Sequence, residues 1–423
     1  MLDYINSVED LRSMQLALHR GSLSLMNCVG RTEQQQRQVS MTHDKVYALL
    51  GMLQKHTRNS LPLDYTKSAE EIFQMASIVM ILESQLLSHF IWRDVVCDQA
   101  EAATSWVGFS DFEPQYRFPS PLGRTHFLLE HPITFKIGDK VITREHLHSG
   151  VPISFNTLSN HTPAKVNSPI LVTGGFVFDE ITEVFQNFSE DNLRQELLAA
   201  YYKYRCHISS TFHKAEDILE AIWLPLSLYK DLVETKEVYD NRKLSFIIYF
   251  SRLVLRDFGI TADIIEQNKA LKDTGKQHPF ITANLREDFD RSRLNFKKED
   301  LQYFLEKAGL GVGTLAKDVL KTFHLYREKG KIVRNHGRNL FFSSKGHVGI
   351  GPMGDNRPGN LPAVQIRDRI MILAWLQIPV ILRPHDDGTY TLIGPAHLPS
   401  LLNHYYLFLE PGNLPKLENI RIR

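Results

Sequence analysis

Three stretches of this 423-residue chain carry residue types at spacings that can do chemistry. Gly349-Ile350-Gly351-Pro352-Met353-Gly354 has the G-x-G-x-x-G spacing of a dinucleotide-binding loop. That chemistry needs the third glycine to lead into a helix whose first N–H groups meet the pyrophosphate. Asn356-Arg357-Pro358-Gly359-Asn360-Leu361-Pro362 follows instead, and its two prolines forbid a regular helix. The segment therefore reads as a tight β-turn, with no cofactor expected. His385-Asp386-Asp387 offers three groups that ligate metals, but adjacent residues in a turn rarely converge on one ion, and Asp is favoured in turns for backbone reasons. No metal is expected there. Residues 321–338 hold Lys321, Arg327, Lys329, Lys331, Arg334 and Arg338 against Glu328, with His324, Tyr326 and His336 interleaved. A phosphate or nucleic-acid contact is one reading of this run; a solvated helix end with favourable C-terminal cations is the better one. For nucleophilic catalysis the eighteen histidines come with no G-x-S-x-G elbow, so only a triad assembled by the fold would serve. No catalytic residue is assigned on this basis, and the enzyme reading leans to no. An enzyme with a site between a helical body and a β tail remains an alternative.

Composition narrows the class. Hydrophobic residues make 43% and charged residues 23%, ordinary for a soluble globular protein. A net charge of +1 supplies no global attraction for nucleic acid or an anionic membrane. Cys28, Cys97 and Cys206 are far apart, so neither a disulfide framework nor a zinc site is suggested, and a reducing, cytoplasmic compartment fits. The first residues have no apolar signal region. The strongest apolar runs, 245–255 and 370–382, are too short to span a bilayer. Asn160-His161-Thr162 and Asn187-Phe188-Ser189 match the glycosylation sequon by chance on this reading.

The elements that position these residues are organised around Asp44-Lys45-Val46-Tyr47-Ala48-Leu49-Leu50-Gly51. Val46, Leu49 and Leu50 make one helical apolar stripe. Asp44 is placed to cap the start and Gly51 to end the helix in the left-handed conformation. Losing that cap in Asp44→Ala is expected to cost about 1 kcal/mol. Earlier, Ser7-Val8-Glu9-Asp10 has capping-box form for a helix over 7–19, and 31–40 is polar. After it, Ser68 caps a helix with Glu70 and Glu71 in its first turn and Ile72, Phe73, Ala76, Val79 and Met80 on its apolar face. From 109 to 180 the texture turns to β. A hairpin is expected over 133–136 and 140–143, then a strand over 170–173 broken by Gly174-Gly175, with Asp179 capping a turn or fixing a loop. Residues 189–330 read as helical. Ser189 is a cap, Leu193, Leu197, Leu198 and Tyr201 form a stripe, and further helices fall over 215–224, 242–256, 298–307 and 313–328. Residues 266–295 read as a surface loop. The tail predicts strands over 339–343, 369–374, 379–383 and 389–393, with Asp387-Gly388 as a two-residue hairpin turn. The fold class expected is α+β, in four segments. Residues 1–110 and 189–330 are helical, 111–188 is β-rich, and 331–423 is a small antiparallel sheet or barrel.

The organising octamer resembles the D-(R/K)-(I/V)-Y-A-L-L-G signature of fungal heterokaryon-incompatibility (HET-domain) proteins through Asp44, Tyr47, Leu50 and Gly51. Asp64-Tyr65-Thr66-Lys67-Ser68 and the acidic pair after it resemble that family's Y-x-K-x-x-x-E-V-Y station, with Tyr65 at its head. Ser105-Trp106-Val107 resembles P-S-W-V-P-D-W without its prolines and second tryptophan; Trp106 reads as a partly buried anchor, with ligand stacking the lesser reading. Phe176 to Ile181, with Asp179, resembles L-x-V-x-G-x-x-x-D-x-I. Residues 338–352, with Gly346, Gly349, Gly351 and Pro352, look like R-x-F-F-x-T-x-x-G-x-I-G-x-G-P. Asp368, then Pro379, Leu382 and Arg383, then Tyr390, Leu392 and Gly394 are similar to the closing G-D-x-V, P-x-x-L-R and Y-x-L-x-G stations. Two departures stand out: Arg367 occupies the glycine position before the aspartate, and residues 401–406 replace the usual H-G-I-M-D-G-E.

The resemblance implies a role in fungal non-self recognition and programmed cell death. The family's defining front module, with A-L-S-Y-x-W-G and W-I-D-x-x-C-I-N-Q motifs, has no counterpart in these residues, so the chain is expected to be a truncated C-terminal region of regulatory or scaffold character. A protein partner is implied, with no membrane and no nucleic acid, and the motif residues are implied to be fold determinants.

Overall fold

The computed structural model describes residues 24–25, 28, 41–84, 87, 90, 105–107, 134–137, 140–143, 154–156, 170–185, 193–207, 215–226, 236–272, 274, 276, 298–309, 338–353, 363–373, 376, 379–398 and 417–423. The helices expected over 7–19 and 313–328, the Ser189 cap, the polar run 31–40 and all of the basic run except Arg338 lie outside these residues.

The chain is α+β. Near the start, α1 (Asp44–Tyr47), a 3-10 turn (Leu50–Met52), α2 (Lys55–Ser60) and α3 (Ala69–Ser84) form a small helical layer. Ser68 does cap α3. The Glu71 N–H donates to Ser68 Oγ (3.2 Å) and the Ser68 N–H to Glu71 Oε2 (2.8 Å), a reciprocal capping box. Five longer helices follow after the first strands: α4 (Leu193–His207), α5 (Ala215–Leu226), α6 (Lys236–Asp257), α7 (Ala262–Lys272) and α8 (Lys298–Ala308). Part of the loop expected over 266–295 is thus helical. Ile264 and Ile265 give α7 an apolar edge that packs on the helical core, which outweighs its charge.

A separate hairpin joins β1 (Thr134–Ile137) to β2 (Lys140–Thr143), as expected. The other strands are β3 (Ser154–Asn156), β4 (Ile170–Phe185), β5 (Arg338–Ser343), β6 (Val348–Met353), β7 (Arg369–Leu373), β8 (Val380–Pro384), β9 (Tyr390–Pro395) and β10 (Glu418–Ile422). They run in the order β10-β9-β8-β7-β4-β5-β6, with β3 added on β4. β10 also pairs with β4 along its length and meets β9 at Ile422 and Tyr390, so β4, β7, β8, β9 and β10 close into a ring. All pairings are antiparallel except that short contact between β9 and β10. β4 and the strands β5 to β10 therefore share one sheet, although the sequence reads them as two segments, 111–188 and 331–423.

β4 is the strand on which this sheet turns. Gly174 and Gly175 do not break it. Gly175 sits where β7 and β10 pair on opposite edges, and a Cβ there would come within 2.8 Å of Leu373 and 2.9 Å of the Ile372 carbonyl. The glycine admits two close neighbours and the strand runs on for sixteen residues. Its first half pairs with β10 and β7, its second half with β5, and bulges at 177–179 and 181–183 re-aim it between the two.

Side-chain alternation sets the layers. Met371, Leu373, Val380, Leu382 and Leu392 face one way, where Leu171, Ile420 and Ile422 complete the ring's core and Ile81, Phe90 and Trp106 cover it. Ile370, Ile372, Ile381 and Ile393 face the other way and pack with Phe178, Ile181 and Phe341. The opposite side of β5 and β6, through Leu340, Phe342, Val348 and Ile350, meets Tyr204, Ile222, Phe246 and Phe304 of the helical body.

Candidate functional site

The motif residues gather in two places. The first joins the octamer to the Tyr65 station. The Tyr47 hydroxyl donates to the Asp64 carbonyl (2.9 Å) and accepts from the Asp64 N–H (3.0 Å). The Tyr65 ring meets Tyr47 edge-on, with centroids 5.0 Å apart, and its hydroxyl donates to Asp44 Oδ1 (2.9 Å). Asp44 is therefore not the helix cap that its position suggested. His43 precedes the helix in helical geometry, and the Asp44 side chain makes no cap bond because it is turned to Tyr65. Gly51 also differs from expectation. It lies inside the 3-10 turn rather than at a left-handed stop, and Leu50 before it is buried.

The second gathering surrounds the middle of β4. Asp179 is buried in the strand and its carboxylate fixes the turn at 343–347. Ser344 Oγ and the Lys345 N–H donate to it from across that turn (3.1 Å for Lys345), and the Glu180 N–H from beside it (2.8 Å). Lys345 Nζ donates to the Phe178 carbonyl and lies over the Phe178 ring. Gly346, at φ 86°, makes the turn, and Tyr204 Oη of α4 donates to its carbonyl (3.0 Å). His347 packs on Phe178; burial holds its pKa below the ordinary histidine value, Asp179 pulls it back up, and Lys345 adds to the lowering. On the other edge of β4, Arg383 clamps Asp368 through Nε (2.9 Å) and Nη2 (2.9 Å), and the Gln365 N–H adds a third bond (2.7 Å). Burial pushes the Asp368 carboxyl up, while Arg383 and the Gln365 amide pull it down. Ile181 joins this turn to β4. Its N–H donates to the Asp368 carbonyl (2.9 Å), and its carbonyl accepts from the Arg367 N–H (2.8 Å).

Both carboxylates are thus occupied on both oxygens by donors of the chain itself. That suits a tie between strands and does not suit a proton-transfer group, which needs an oxygen open to substrate. The remaining motif residues are also packing elements. Gly349 and Gly351 lie within β6, not in the expected turn, because a Cβ at Gly349 would sit 2.5 Å from the Phe341 ring and one at Gly351 2.3 Å from Val364. Pro352 continues that strand. The Pro379 carbonyl accepts from Ala396 (2.9 Å), Leu382 is buried, and Gly394 sits in β9 opposite Ile381. Trp106 is wholly buried in the ring's cover rather than partly exposed, so its ring is closed to ligand stacking.

Sequence reasoning missed Ser105 and Arg205. The Ser105 N–H donates to a main-chain oxygen of Arg423 (3.0 Å), its hydroxyl donates there too, and its Oγ accepts from the Leu392 N–H (2.9 Å). One serine thus pins β10 to β9; its place beside Trp106 in the motif was the available signal. Arg205 of α4 and Asp300 of α8 form a fully buried ion pair with no local pattern to announce it. The 385–388 turn is tighter in bonding and longer in sequence than expected. The His385 N–H donates to the Thr389 carbonyl (2.9 Å), and the five residues His385 to Thr389, with Gly388 at φ 75°, connect the strands. His385 is bonded to Thr391 and Arg423, and Asp387 to Thr389. Among the described residues no group of three His, Cys, Asp or Glu side chains is placed to hold a metal ion.

One cleft of about 340 Å³ opens between α6, α7 and the end of α8, lined by Arg252, Ile265, Glu266, Lys269 and Ala308. Arg252 Nη2 donates to the Ala308 carbonyl (3.2 Å). The cleft lies within the helical body and not where that body meets the β strands. No helix among the described residues is long and apolar enough to cross a membrane. No protein-family model, no curated protein and no solved structure matches this chain.

Proposed function

We propose that this chain is the C-terminal regulatory or scaffold region of a heterokaryon-incompatibility protein, acting in the cytoplasm through a protein partner in fungal non-self recognition and the cell death that follows. The observation that carries the reading is the use made of the motif residues. Asp44, Tyr47 and Tyr65 bond to one another or to the segment between them, and Asp179, Gly346, Asp368 and Arg383 tie the two turns on either edge of β4. Residues spent on architecture at every station favour a scaffold over a catalyst.

The test is made in a filamentous fungus. The chain is placed behind a module carrying the A-L-S-Y-x-W-G and W-I-D-x-x-C-I-N-Q motifs, and hyphal death is scored by vital-dye uptake. The extent of death should change when the chain is attached and return to the module-only value with Arg383→Leu. Equal death with the intact chain, the variant and the module alone would refute the proposal.

A further inference from the structure

Arg367 is the only non-glycine residue with positive φ among the described residues, at 75°. Side chains of L-residues avoid that region because Cβ crowds the following carbonyl oxygen. Arg367 is the third residue of the turn at 365–368, which closes with the Asp368 N–H donating to the Gln365 carbonyl (3.1 Å). Third positions of such turns take glycine when φ is positive. Every main-chain bond of the turn is one that glycine would make equally well, and none uses the Arg367 side chain. That side chain is exposed and, among the described residues, has no hydrogen-bond or ion-pair partner. Beside it Ile366 is 57% exposed. The molecule therefore holds a strained backbone to present a cation and an apolar side chain outward, with nothing intramolecular returned.

Strain of this kind persists where surrounding structure over-determines it, and it clusters at functional sites such as ligand clamps and switch regions. The surroundings here are rigid. Arg367 and Asp368 are both bonded to Ile181, and Asp368 is clamped by Arg383. A tip held this firmly loses little freedom on binding. We propose that Ile366 and Arg367 form a recognition knob for an acidic partner protein, with Ile366 entering an apolar pocket and the guanidinium pairing with a carboxylate. Arginine is the cation suited to that pairing because its planar fork matches a carboxylate in two places. A protein fits better than a nucleic acid, since exposed Ile366 beside the cation calls for an apolar pocket and the net charge is only +1. The inference stands on the strain and exposure alone, and it survives if the family reading fails.

The experiment is site-specific photo-crosslinking in the native host cell, using the full chain with p-benzoylphenylalanine at half-exposed Gln365. Irradiation should give a discrete adduct with another protein, and mass spectrometry should place the crosslink within a peptide that carries Asp or Glu beside apolar residues. Arg367→Gly relieves the strain, so it should raise the melting temperature while lowering adduct yield by about tenfold, as for a hot-spot side chain. Arg367→Asn, which also tolerates positive φ, should lower the yield in the same way. The proposal is overturned if no adduct forms, if the adduct is only with a second copy of this chain, if the crosslinked peptide has no acidic residue, or if both folded variants crosslink as well as the parent.

Discussion

Asp368 and Arg383 pair within the β ring, while Arg205 and Asp300 pair within the helical body, and water treats the two pairs differently. In the ring, the Asp368 side chain is 2% exposed and that of Arg383 28%, so one end of the pair still touches solvent. In the helical body, the side chains are 6% and 3% exposed, and both charges have left water. Burial there also pushes the neighbouring Tyr201 hydroxyl far above its usual range. The lesson is that the cost of breaking a pair depends on what is stranded and whether water can reach it.

The largest effect is expected in the helical body. Asp300→Ala or Arg205→Met should each cost about 3–5 kcal/mol in urea melts, because either takes the opposite charge away from a buried one. Replacing both at once, Arg205→Met with Asp300→Leu, should recover most of that loss. In the ring the two single changes should differ. Arg383→Leu strands buried Asp368 and should cost about 3 kcal/mol, whereas Asp368→Ala leaves an arginine that can rehydrate and should cost about 1–2 kcal/mol. Equal costs for these two would break the comparison at its root.

The same reasoning ranks the N-terminal cluster. Tyr47→Phe removes the partner of both the N–H and the carbonyl of Asp64, for a cost of about 1–2 kcal/mol. Asp44→Ala removes only an exposed bond to Tyr65, so it should cost less than about 0.5 kcal/mol and not the 1 kcal/mol of a lost helix cap. A melt in which Asp44→Ala is the more damaging would restore the capping role. Arg367→Gly should stabilise. Relief of about 1–2 kcal/mol of left-handed strain exceeds the added entropy of an unfolded glycine, about 0.5–1 kcal/mol.

The smallest effect is a pH slope. His347 is held below the ordinary value of 6.5 by burial, and His385 by burial and then by Arg423. Their depressed values mean that the unfolded chain binds more protons below pH 6.5. Stability is therefore complete above that pH and declines as pH falls through the folded values. His347→Asn should flatten melting temperature against pH between 7 and 5; an unchanged slope would remove His347 from this role.

Legibility in the sequence followed the range of the cause. Strands over 369–395 could be read because alternation, Pro379 and Asp387-Gly388 are local signals, and so is the capping box of Ser68 and Glu71. The continuity of β4 could not, because the reason for Gly175 is the approach of β7 and β10 on either side. Nor could the strand placement of Gly349 and Gly351, which answers to Phe341 and Val364. In the candidate site, Asp179, Asp368 and Arg383 were all singled out as motif residues and Asp179 was expected to cap a turn or fix a loop, as it does, yet nothing in the motif said that the loop would be that of residues 343–347. Arg205 and Asp300 lay beyond any pattern, since a buried pair between two helices leaves no periodic trace.

The closure of the ring has a consequence for synthesis. Leu171 meets Phe155 of β3 on one edge, but its partner on the other edge comes only when Ile422 is made. At about 5–20 residues per second, β4 leaves the ribosome on the order of tens of seconds before that strand exists. During that interval Leu171 and Val172 lack their β10 partners on one edge, while the helical body encoded after them can already fold. The nascent chain thus carries an adhesive edge from the making of β4 to the making of β10, and the cell that makes it must keep that edge from neighbouring chains until then.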